Sequence, residues 1–126
     1  MSAGRLLILD DDPTVGQILA FVAETVDFAT RLAVRPAQFF DALSDWQPTH
    51  VAIDLTMPEM SGTQVLQRLA ALGCRARVIV ASGAGTGELD GAARLAKSLG
   101  LDLAGPLSKP FSPSTLRALL AAPLEG

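Results

Sequence analysis

The fold is decided by one stretch of the chain, His50-Val-Ala-Ile-Asp54-Leu-Thr-Met-Pro58-Glu-Met-Ser61-Gly62. Its first residues form a short apolar run that predicts a strand buried on both faces, and this run ends on a single carboxylate, Asp54. Pro58 and Gly62 then indicate a tight loop, and Ser61 is a residue type that caps helices. Because open α/β sheets bind ligands beyond the carboxyl ends of their strands, Asp54 is a candidate functional residue. Taken alone, the stretch is equally compatible with an Asp that only begins a turn.

The same order of apolar run, polar group and helical pattern recurs along the whole chain. Five strands are predicted, at residues 6–9, 27–34, 51–54, 77–81 and 101–107. Each is followed by apolar residues at helical spacing, and strands that alternate with helices indicate a parallel, doubly wound α/β sheet. The last predicted strand contains Gly105 and Pro106. Because proline cannot donate a backbone hydrogen bond, this strand is expected at an edge of the sheet.

Helical spacing also predicts which side chains face the core. The first helix is expected to begin at Pro13 with Asp12 as its cap, and its predicted apolar face is Val15, Ile18, Leu19, Val22 and Val26. The third helix is expected to end at Gly73 and to bury Val65, Leu66, Leu69 and Leu72. The last helix is predicted at residues 113–122, with its inward side formed by Leu116, Leu119 and Leu120.

Length and composition indicate one folded domain. With 126 residues and 49% hydrophobic side chains, the chain can bury a substantial core. Its apolar runs are short and interrupted, so we expect no membrane-spanning or secretory segment, no membrane partner and a cytoplasmic location. The net charge of −3, without a basic run, argues against direct binding of nucleic acid. The lone Cys74 cannot form an internal disulfide.

Polar groups stand directly after four of the predicted strands: Asp10 and Asp11 after the first, Asp54 after the third, Ser82 after the fourth and Lys109 after the fifth. In a parallel sheet these strand ends share one rim, so the groups are expected to converge. Clustered carboxylates repel one another unless a cation lies between them, and Mg²⁺ favours a few carboxylates together with water and phosphate oxygens. With a lysine ammonium and a serine hydroxyl nearby, the predicted site suits a phosphoryl group beside a carboxylate nucleophile.

As a set, these motifs resemble the receiver domain of two-component response regulators, and the resemblance covers essentially the whole chain. The run Leu9-Asp10-Asp11-Asp12-Pro13 is similar to the family's acidic opening, and Lys109-Pro110-Phe111 is similar to its Lys-Pro-Phe motif. The run from Asp54 to Gly62 is similar to the family's phosphoacceptor motif. The resemblance implies a flavodoxin-like (CheY-like) fold of five β/α units, with strand order 2-1-3-4-5 and a cis Lys109-Pro110 bond.

The resemblance also implies a role for each site residue. Asp54 would be the phosphoacceptor, and Ser82 and Lys109 would act on the transferred phosphoryl group. Mg²⁺ or Mn²⁺ would be bound by Asp10, Asp11, Asp54 and the main-chain carbonyl of Thr56, with Asp11 the more direct ligand of the acidic pair. The implied activity is acceptance of a phosphoryl group followed by self-hydrolysis, so the chain is not expected to be a turnover enzyme.

The implied partners are a sensor histidine kinase or phosphotransfer protein, and an output domain or partner protein that contacts the last two helices. A loose similarity over residues 105–111 to receivers attached to cyclic-di-GMP phosphodiesterase domains suggests one type of output, and a homodimer formed on phosphorylation is a further expectation. Arg117 is the only charge between Pro113 and Pro123, which is typical of a helix covered by a second domain or subunit. We therefore expect residues 1–126 to be a single receiver domain from the N-terminal part of a longer signalling protein, with residues 123–126 as tail or linker.

One departure from the family pattern concerns signal transmission. Three residues before Lys109, where the family often has a Tyr or Phe that moves inward on activation, this chain has Pro106. We therefore expect signalling to depend on Ser82 and on backbone shifts at residues 83–87 and Gly105 rather than on an aromatic side chain.

Other classes of function remain open from the sequence. A phosphorylation-independent interaction module would keep the fold without the chemistry. A haloacid-dehalogenase-like phosphatase, which also uses Asp and Mg²⁺, requires a second Asp two residues after its nucleophile, and Thr56 stands there. A flavodoxin-like flavin binder requires a hydroxyl-rich phosphate loop after the first strand, where this chain has Asp10, Asp11 and Asp12.

Overall fold

Five parallel strands form the centre of the molecule, and helices cover both faces of the sheet. The computed structural model of the chain describes residues 3–57, 59–83 and 86–121. The strands are β1 (Gly4–Leu9), β2 (Phe28–Ala33), β3 (His50–Asp54), β4 (Arg77–Ser82) and β5 (Leu103–Ser108). The helices are α1 (Pro13–Glu24), α2 (Pro36–Trp46), α3 (Gly62–Ala71), α4 (Thr86–Ser98) and α5 (Pro113–Ala121). The strand order β2-β1-β3-β4-β5, parallel throughout, confirms the expected flavodoxin-like fold.

Two hydrophobic clusters hold the helices against the sheet. Alternate residues of β3 contribute to opposite faces: Val51 and Ile53 join the cluster beneath α2, α3 and α4, and Ala52 joins the cluster beneath α1 and α5. The central strands are thus buried on both sides, which explains why their sequences are continuous apolar runs rather than alternating patterns. Each fully buried Leu or Ile in these strands contributes roughly 1.5–3 kcal/mol through removal of apolar surface from water.

The helix boundaries follow the predicted signals. Asp12 caps α1 by accepting a hydrogen bond from the Thr14 amide at 3.0 Å. Ser61 caps α3 in a reciprocal capping box, in which its hydroxyl accepts from the Gln64 amide and the Gln64 side chain accepts from the Ser61 amide. Gly73, just beyond α3, has φ of +70°, the left-handed conformation that favours glycine at this position.

Two predicted core side chains are exposed instead. Ile18 on α1 is 50% exposed, because the side of α1 that meets the sheet is formed partly by the small residues Gly16 and Ala23. A Cβ at Gly16 would collide with the Leu32 side chain, so the helix lies close to the sheet along this line and turns Ile18 outward. Leu72 is 58% exposed because it is the residue after the last helical position of α3, where the chain already leaves the helix.

The edge position predicted for the fifth strand is confirmed, although β5 begins at Leu103 rather than at residue 101. Its register with β4 shifts between Val78 and Ile79, and beyond this irregularity Pro106 is exposed. In α5, Leu116 and Leu120 are buried and Leu119 is partly buried. The exposed positions of α5 carry small or polar residues: Pro113, Ser114, Thr115, Arg117, Ala118 and Ala121.

Some of the predictions lie outside the described residues. These are Pro58, residues 84 and 85 within the predicted 83–87 switch segment, the end of the last helix at residue 122, and the predicted tail at residues 123–126. Of the helices that are described, none has the length and apolar character needed to cross a membrane.

Candidate functional site

Three carboxylates converge at the carboxyl end of the central strands. Asp10 directly follows β1 and Asp54 is the last residue of β3, and the pairing of Leu9 with Ile53 sets the two carboxylates side by side. Asp10, Asp11 and Asp54 each offer a carboxylate oxygen, and these oxygens lie within 4.8 Å of one another. Asp10 and Asp54 are almost completely buried, whereas Asp11 is exposed at the rim. The parallel topology therefore brings together three acidic residues from two loops that are far apart in sequence.

Lys109 places one ammonium group among these carboxylates. Its Nζ donates a hydrogen bond to Asp10 Oδ2 at 2.8 Å and lies 3.5 Å from Asp54 Oδ1. The backbone amide of Lys109 donates to the Ser82 carbonyl at 3.0 Å, and the Lys109-Pro110 bond is cis, as expected. Among the described residues the Lys109 ammonium thus contacts two of the three clustered carboxylates, those of Asp10 and Asp54.

The pKa of Asp10 is set mainly by the burial of its carboxyl group. Burial raises the pKa of the Asp10 carboxyl above its ordinary value, because the charged form loses its hydration. The hydrogen bond from Lys109 and the hydrogen bond from the Asp12 amide to Oδ1, at 2.9 Å, act in the opposite direction, and repulsion from Asp54 adds to the effect of burial. A second cation at this position would stabilise the ionised carboxylates.

The surroundings of Asp54 are only partly those predicted. Its Oδ1 accepts two hydrogen bonds from Thr56, one from the backbone amide at 3.1 Å and one from the hydroxyl Oγ1 at 2.9 Å. Only the main-chain carbonyl of Thr56 was expected to matter at this site. The bond from the amide is the usual turn in which an Asp side chain accepts from the backbone N–H two residues on, whereas no residue pattern indicates the bond from the hydroxyl.

Ser82 lies at the same rim, at the end of β4. Asp54 pairs with Ala81 in the sheet, so Ser82 stands one residue beyond the level of the phosphoacceptor candidate. Its side chain is buried, and its carbonyl is held by the Lys109 amide. Ser82 and Lys109 are therefore joined through the backbone as well as by their common position at the rim.

Gly62 allows the start of α3 to lie close to Leu55, a role beyond the loop position predicted from the sequence. A Cβ at this position would collide with the Leu55 side chain and lie 3.0 Å from the Leu55 Cα atom. Leu55 follows Asp54 directly, and its amide donates to the Ala81 carbonyl at 2.9 Å. The absence of a side chain at Gly62 thus allows α3 to begin against the segment that positions Asp54.

The donor set fits a hard divalent cation. Carboxylate and carbonyl oxygens are the ligands that Mg²⁺ prefers, and Mg²⁺ usually retains several waters beside one or two protein carboxylates. The clustered oxygens of Asp10, Asp11 and Asp54 match this requirement.

A separate cleft of about 810 Å³ lies at the other end of the sheet, between the carboxyl ends of α2 and α3. Its charged lining residues are Asp41, Arg68 and Arg75, and none of the predicted site residues contributes to it. The predicted site residues thus lie at the acidic rim and not in this cleft.

Comparison with known proteins agrees with this architecture. Residues 6–121 match the family described as the response regulator receiver domain. The chain is 32% identical over 117 residues to the transcriptional regulatory protein FixJ of Azorhizobium caulinodans, an alignment that covers 93% of this chain and 53% of that protein. The crystal structure of full-length FixJ from B. japonicum superposes with a TM-score of 0.80 and 27% identity, covering 95% of this chain and 57% of that one. A receiver domain from Bermanella marisrubri superposes with a TM-score of 0.76 and 25% identity, covering 90% of this chain and 91% of that one.

The matched region is only one part of the longer FixJ proteins. The chain spans little more than half the length of the FixJ relatives, so the likeness concerns one domain of those proteins. Within that domain it covers nearly all of the chain and includes both the sheet and the acidic rim. The chain belongs to the receiver domain family of two-component response regulators.

Proposed function

We propose that Asp54 accepts a phosphoryl group from a phosphohistidine on a sensor histidine kinase or phosphotransfer protein, and that the resulting acyl phosphate is the signal. The observation that carries this proposal is the placement of Asp54, a buried carboxylate within 4.8 Å of two other carboxylates and 3.5 Å from the Lys109 ammonium. Clustering carboxylates in a buried site costs free energy, and such clusters are found preferentially at functional sites. This arrangement supports the nucleophile assignment.

The transfer step follows from the groups present. A carboxylate oxygen of Asp54 attacks the phosphorus atom and forms an O–P bond while the P–N bond to the donor imidazole breaks. The electron pair of the broken bond remains on the ring nitrogen, which takes a proton from solvent. Lys109 lies within reach of both Asp10 and Asp54, and its ammonium would neutralise charge on an equatorial oxygen of the phosphoryl group. The Ser82 hydroxyl would donate to another of these oxygens.

Asp10, Asp11, Asp54 and the Thr56 carbonyl would hold Mg²⁺ or Mn²⁺, which when bound supplies positive charge to the transferring phosphoryl oxygens. Asp10 also fixes Lys109 through the 2.8 Å hydrogen bond, so the ammonium is positioned before a donor arrives. The phosphatase alternative lacks its second acid, because Thr56 occupies that position and its hydroxyl donates to Asp54. The chain would therefore hold the phosphoryl group and lose it by hydrolysis instead of turning over an external substrate.

The donor protein would approach over α1. This helix begins at Pro13, directly after the acidic loop, and its outward side carries two large exposed hydrophobic residues, Ile18 and Phe21. Phe21 is 63% exposed and lies three residues from Ile18, so the two side chains are neighbours on the surface of the helix and form one apolar patch that a partner could cover. A protein that presents a phosphohistidine to Asp54 has to lie beside this surface.

The signal would leave through the loops after β4 and β5. When Ser82 and Lys109 move toward the new phosphoryl oxygens, both loops are displaced together, because the Lys109 amide is bound to the Ser82 carbonyl. The surface of α4 and α5 would then change for an output domain, a partner protein or a second copy of the chain. The FixJ relatives, which extend well beyond the matched region, support an output domain as part of this proposal.

The switch assignment has its own test. Ser82→Ala is expected to weaken the structural response, measured as the change in amide hydrogen exchange of α4 and α5 on phosphorylation, more than it slows phosphorylation itself. Equal losses in both measurements would assign Ser82 to the chemistry alone.

The test of the proposed function is the mass of the intact protein after incubation with acetyl phosphate and Mg²⁺. The native chain is expected to gain the mass of one phosphoryl group, and the gain should disappear with a chelator or in Asp54→Asn. Asp45→Asn, which changes an exposed acid on α2, is the matched control and should behave as the native chain. A folded, Mg²⁺-supplied native chain that gains no mass would contradict the proposal and favour the interaction module.

A further inference from the structure

We propose that Thr56 is a positioning residue, whose hydroxyl fixes the Asp54 carboxylate so that Oδ1 is held and Oδ2 is the oxygen that attacks phosphorus. This inference rests on the proposed phosphorylation of Asp54. It concerns the side chain of Thr56, which is separate from the main-chain carbonyl expected to bind the metal.

The hydrogen bonds of Asp54 are directed to one of its two oxygens. Oδ1 accepts from the Thr56 amide at 3.1 Å and from the Thr56 hydroxyl at 2.9 Å, and it is also the oxygen 3.5 Å from Lys109 Nζ. Among the residues that the structure describes, all the side-chain hydrogen bonds of Asp54 go to Oδ1. Neither of the Thr56 bonds goes to Oδ2, so Oδ2 is the oxygen that we assign to bond formation with phosphorus.

The hydroxyl bond adds an orientation that the amide bond alone does not supply. The terminal torsion of an Asp side chain is broad, so a carboxylate held by one amide can still rotate about its Cβ–Cγ bond. A second donor from the same residue restricts that rotation and keeps Oδ2 directed away from the Thr56 loop. Correct orientation of a nucleophile before attack lowers the barrier of the chemical step without changing the affinity for the donor.

If Thr56 only helped to form the turn after β3, its side chain would have little effect on the rate of phosphorylation. The amide of Thr56 already closes the local turn around Asp54, and this amide remains whatever the side chain is. Thr56 is exposed, and when its hydroxyl is replaced by a methyl group the buried Oδ1 atom of Asp54 keeps the hydrogen bond from the Thr56 amide. Thr56→Val therefore removes the hydroxyl while retaining the shape, and Thr56→Ser retains the hydroxyl while removing the methyl group.

The experiment compares the native chain, Thr56→Val and Thr56→Ser, with Asp54→Asn as the background. The initial rate of phosphorylation is measured against acetyl phosphate concentration at saturating Mg²⁺, and the Mg²⁺ concentration for half-maximal thermal shift is measured separately. Hydrogen bonds to a charged group are typically worth enough to change a rate roughly tenfold. We expect the maximum phosphorylation rate of Thr56→Val to be about tenfold lower than that of the native chain. The half-saturating concentrations of acetyl phosphate and of Mg²⁺ should stay within about twofold of the native values. Thr56→Ser should keep most of the native rate.

Several results would overturn the inference. A Thr56→Val rate equal to or above that of the native chain would mean that the hydroxyl does not orient the nucleophile. Equal losses in Thr56→Val and Thr56→Ser would mean that keeping the hydroxyl does not preserve the rate, so the hydroxyl would not be the group that orients Asp54. A parallel loss of Mg²⁺ affinity would assign the effect to the metal site. A native chain that is not phosphorylated at all would overturn both this inference and the proposed function, whereas phosphorylation of the native chain with no effect of Thr56→Val would overturn this inference alone.

Discussion

Replacing Gly62 by Ala would test how closely α3 has to approach the segment that carries Asp54. The new Cβ would collide with the Leu55 side chain, which could rotate, and would lie 3.0 Å from the Leu55 Cα, which could not move without disturbing the sheet. Overpacking of this kind typically destabilises a protein by about 1–3 kcal/mol. For a domain of this length that corresponds to a decrease in Tm of roughly 4–12 °C.

The matched control is Gly91→Ala, in the interior of α4. Gly91 is exposed, and a Cβ there would have no heavy atom within 4 Å. Alanine stabilises an exposed helix interior by about 0.8–1 kcal/mol relative to glycine, so this variant should raise Tm by a few degrees. Thermal unfolding followed by circular dichroism measures both changes. If Gly62→Ala were as stable as the native chain, the close approach of α3 to Leu55 would not be a constraint of the fold.

The remaining predictions concern pH, metal and partner binding. Burial and the nearby Arg77 lower the pKa of His50, while Asp102 opposes them. The unfolded chain therefore binds more protons than the folded chain, and the free energy of unfolding should fall as the pH decreases below about 6.5. Denaturant titrations at several pH values should show a smaller dependence on pH in His50→Gln. Mg²⁺ at ten times its Kd should stabilise the protein by about 1.4 kcal/mol, which corresponds to an increase in Tm of roughly 5 °C. An increase of the same size in Asp11→Asn would contradict the assignment of Asp11 as a ligand of Mg²⁺. Ile18→Ser combined with Phe21→Ser should slow transfer from a phosphorylated kinase at least tenfold and leave the reaction with acetyl phosphate unchanged; equal slowing of both reactions would refute a docking role.

Much of the fold could be predicted because its signals are local and repeated. Continuous apolar runs indicated strands buried on both faces, and their alternation with helical patterns indicated a parallel sheet. Pro106 indicated the edge strand because its missing N–H is tolerated only where a ladder partner is absent. Once the strands were known to be parallel, the convergence of Asp10, Asp54 and Lys109 followed from topology without any side-chain geometry.

The errors have physical causes that lie in packing. The spacing of hydrophobic residues alone predicts Ile18 in the core, whereas close packing of Gly16 against Leu32 decides which side of α1 meets the sheet. The Thr56 hydroxyl bond depends on the conformation of the loop after β3. The preference of Lys109 for Asp10 over Asp54 depends on where a flexible side chain comes to rest, which no residue pattern indicates.

The contacts of Lys109 also suggest how a receiver without an aromatic residue at position 106 could transmit its signal. In the structure the ammonium lies between two carboxylates and is closer to Asp10 than to Asp54. A phosphoryl group on Asp54 would place more negative charge on the Asp54 side and draw Lys109 toward it. Because the Lys109 amide is bound to the Ser82 carbonyl, that movement would be transmitted to the ends of both β4 and β5. The coupling then depends on one side chain and one backbone hydrogen bond, and an exposed proline at the edge of the sheet does not interrupt it.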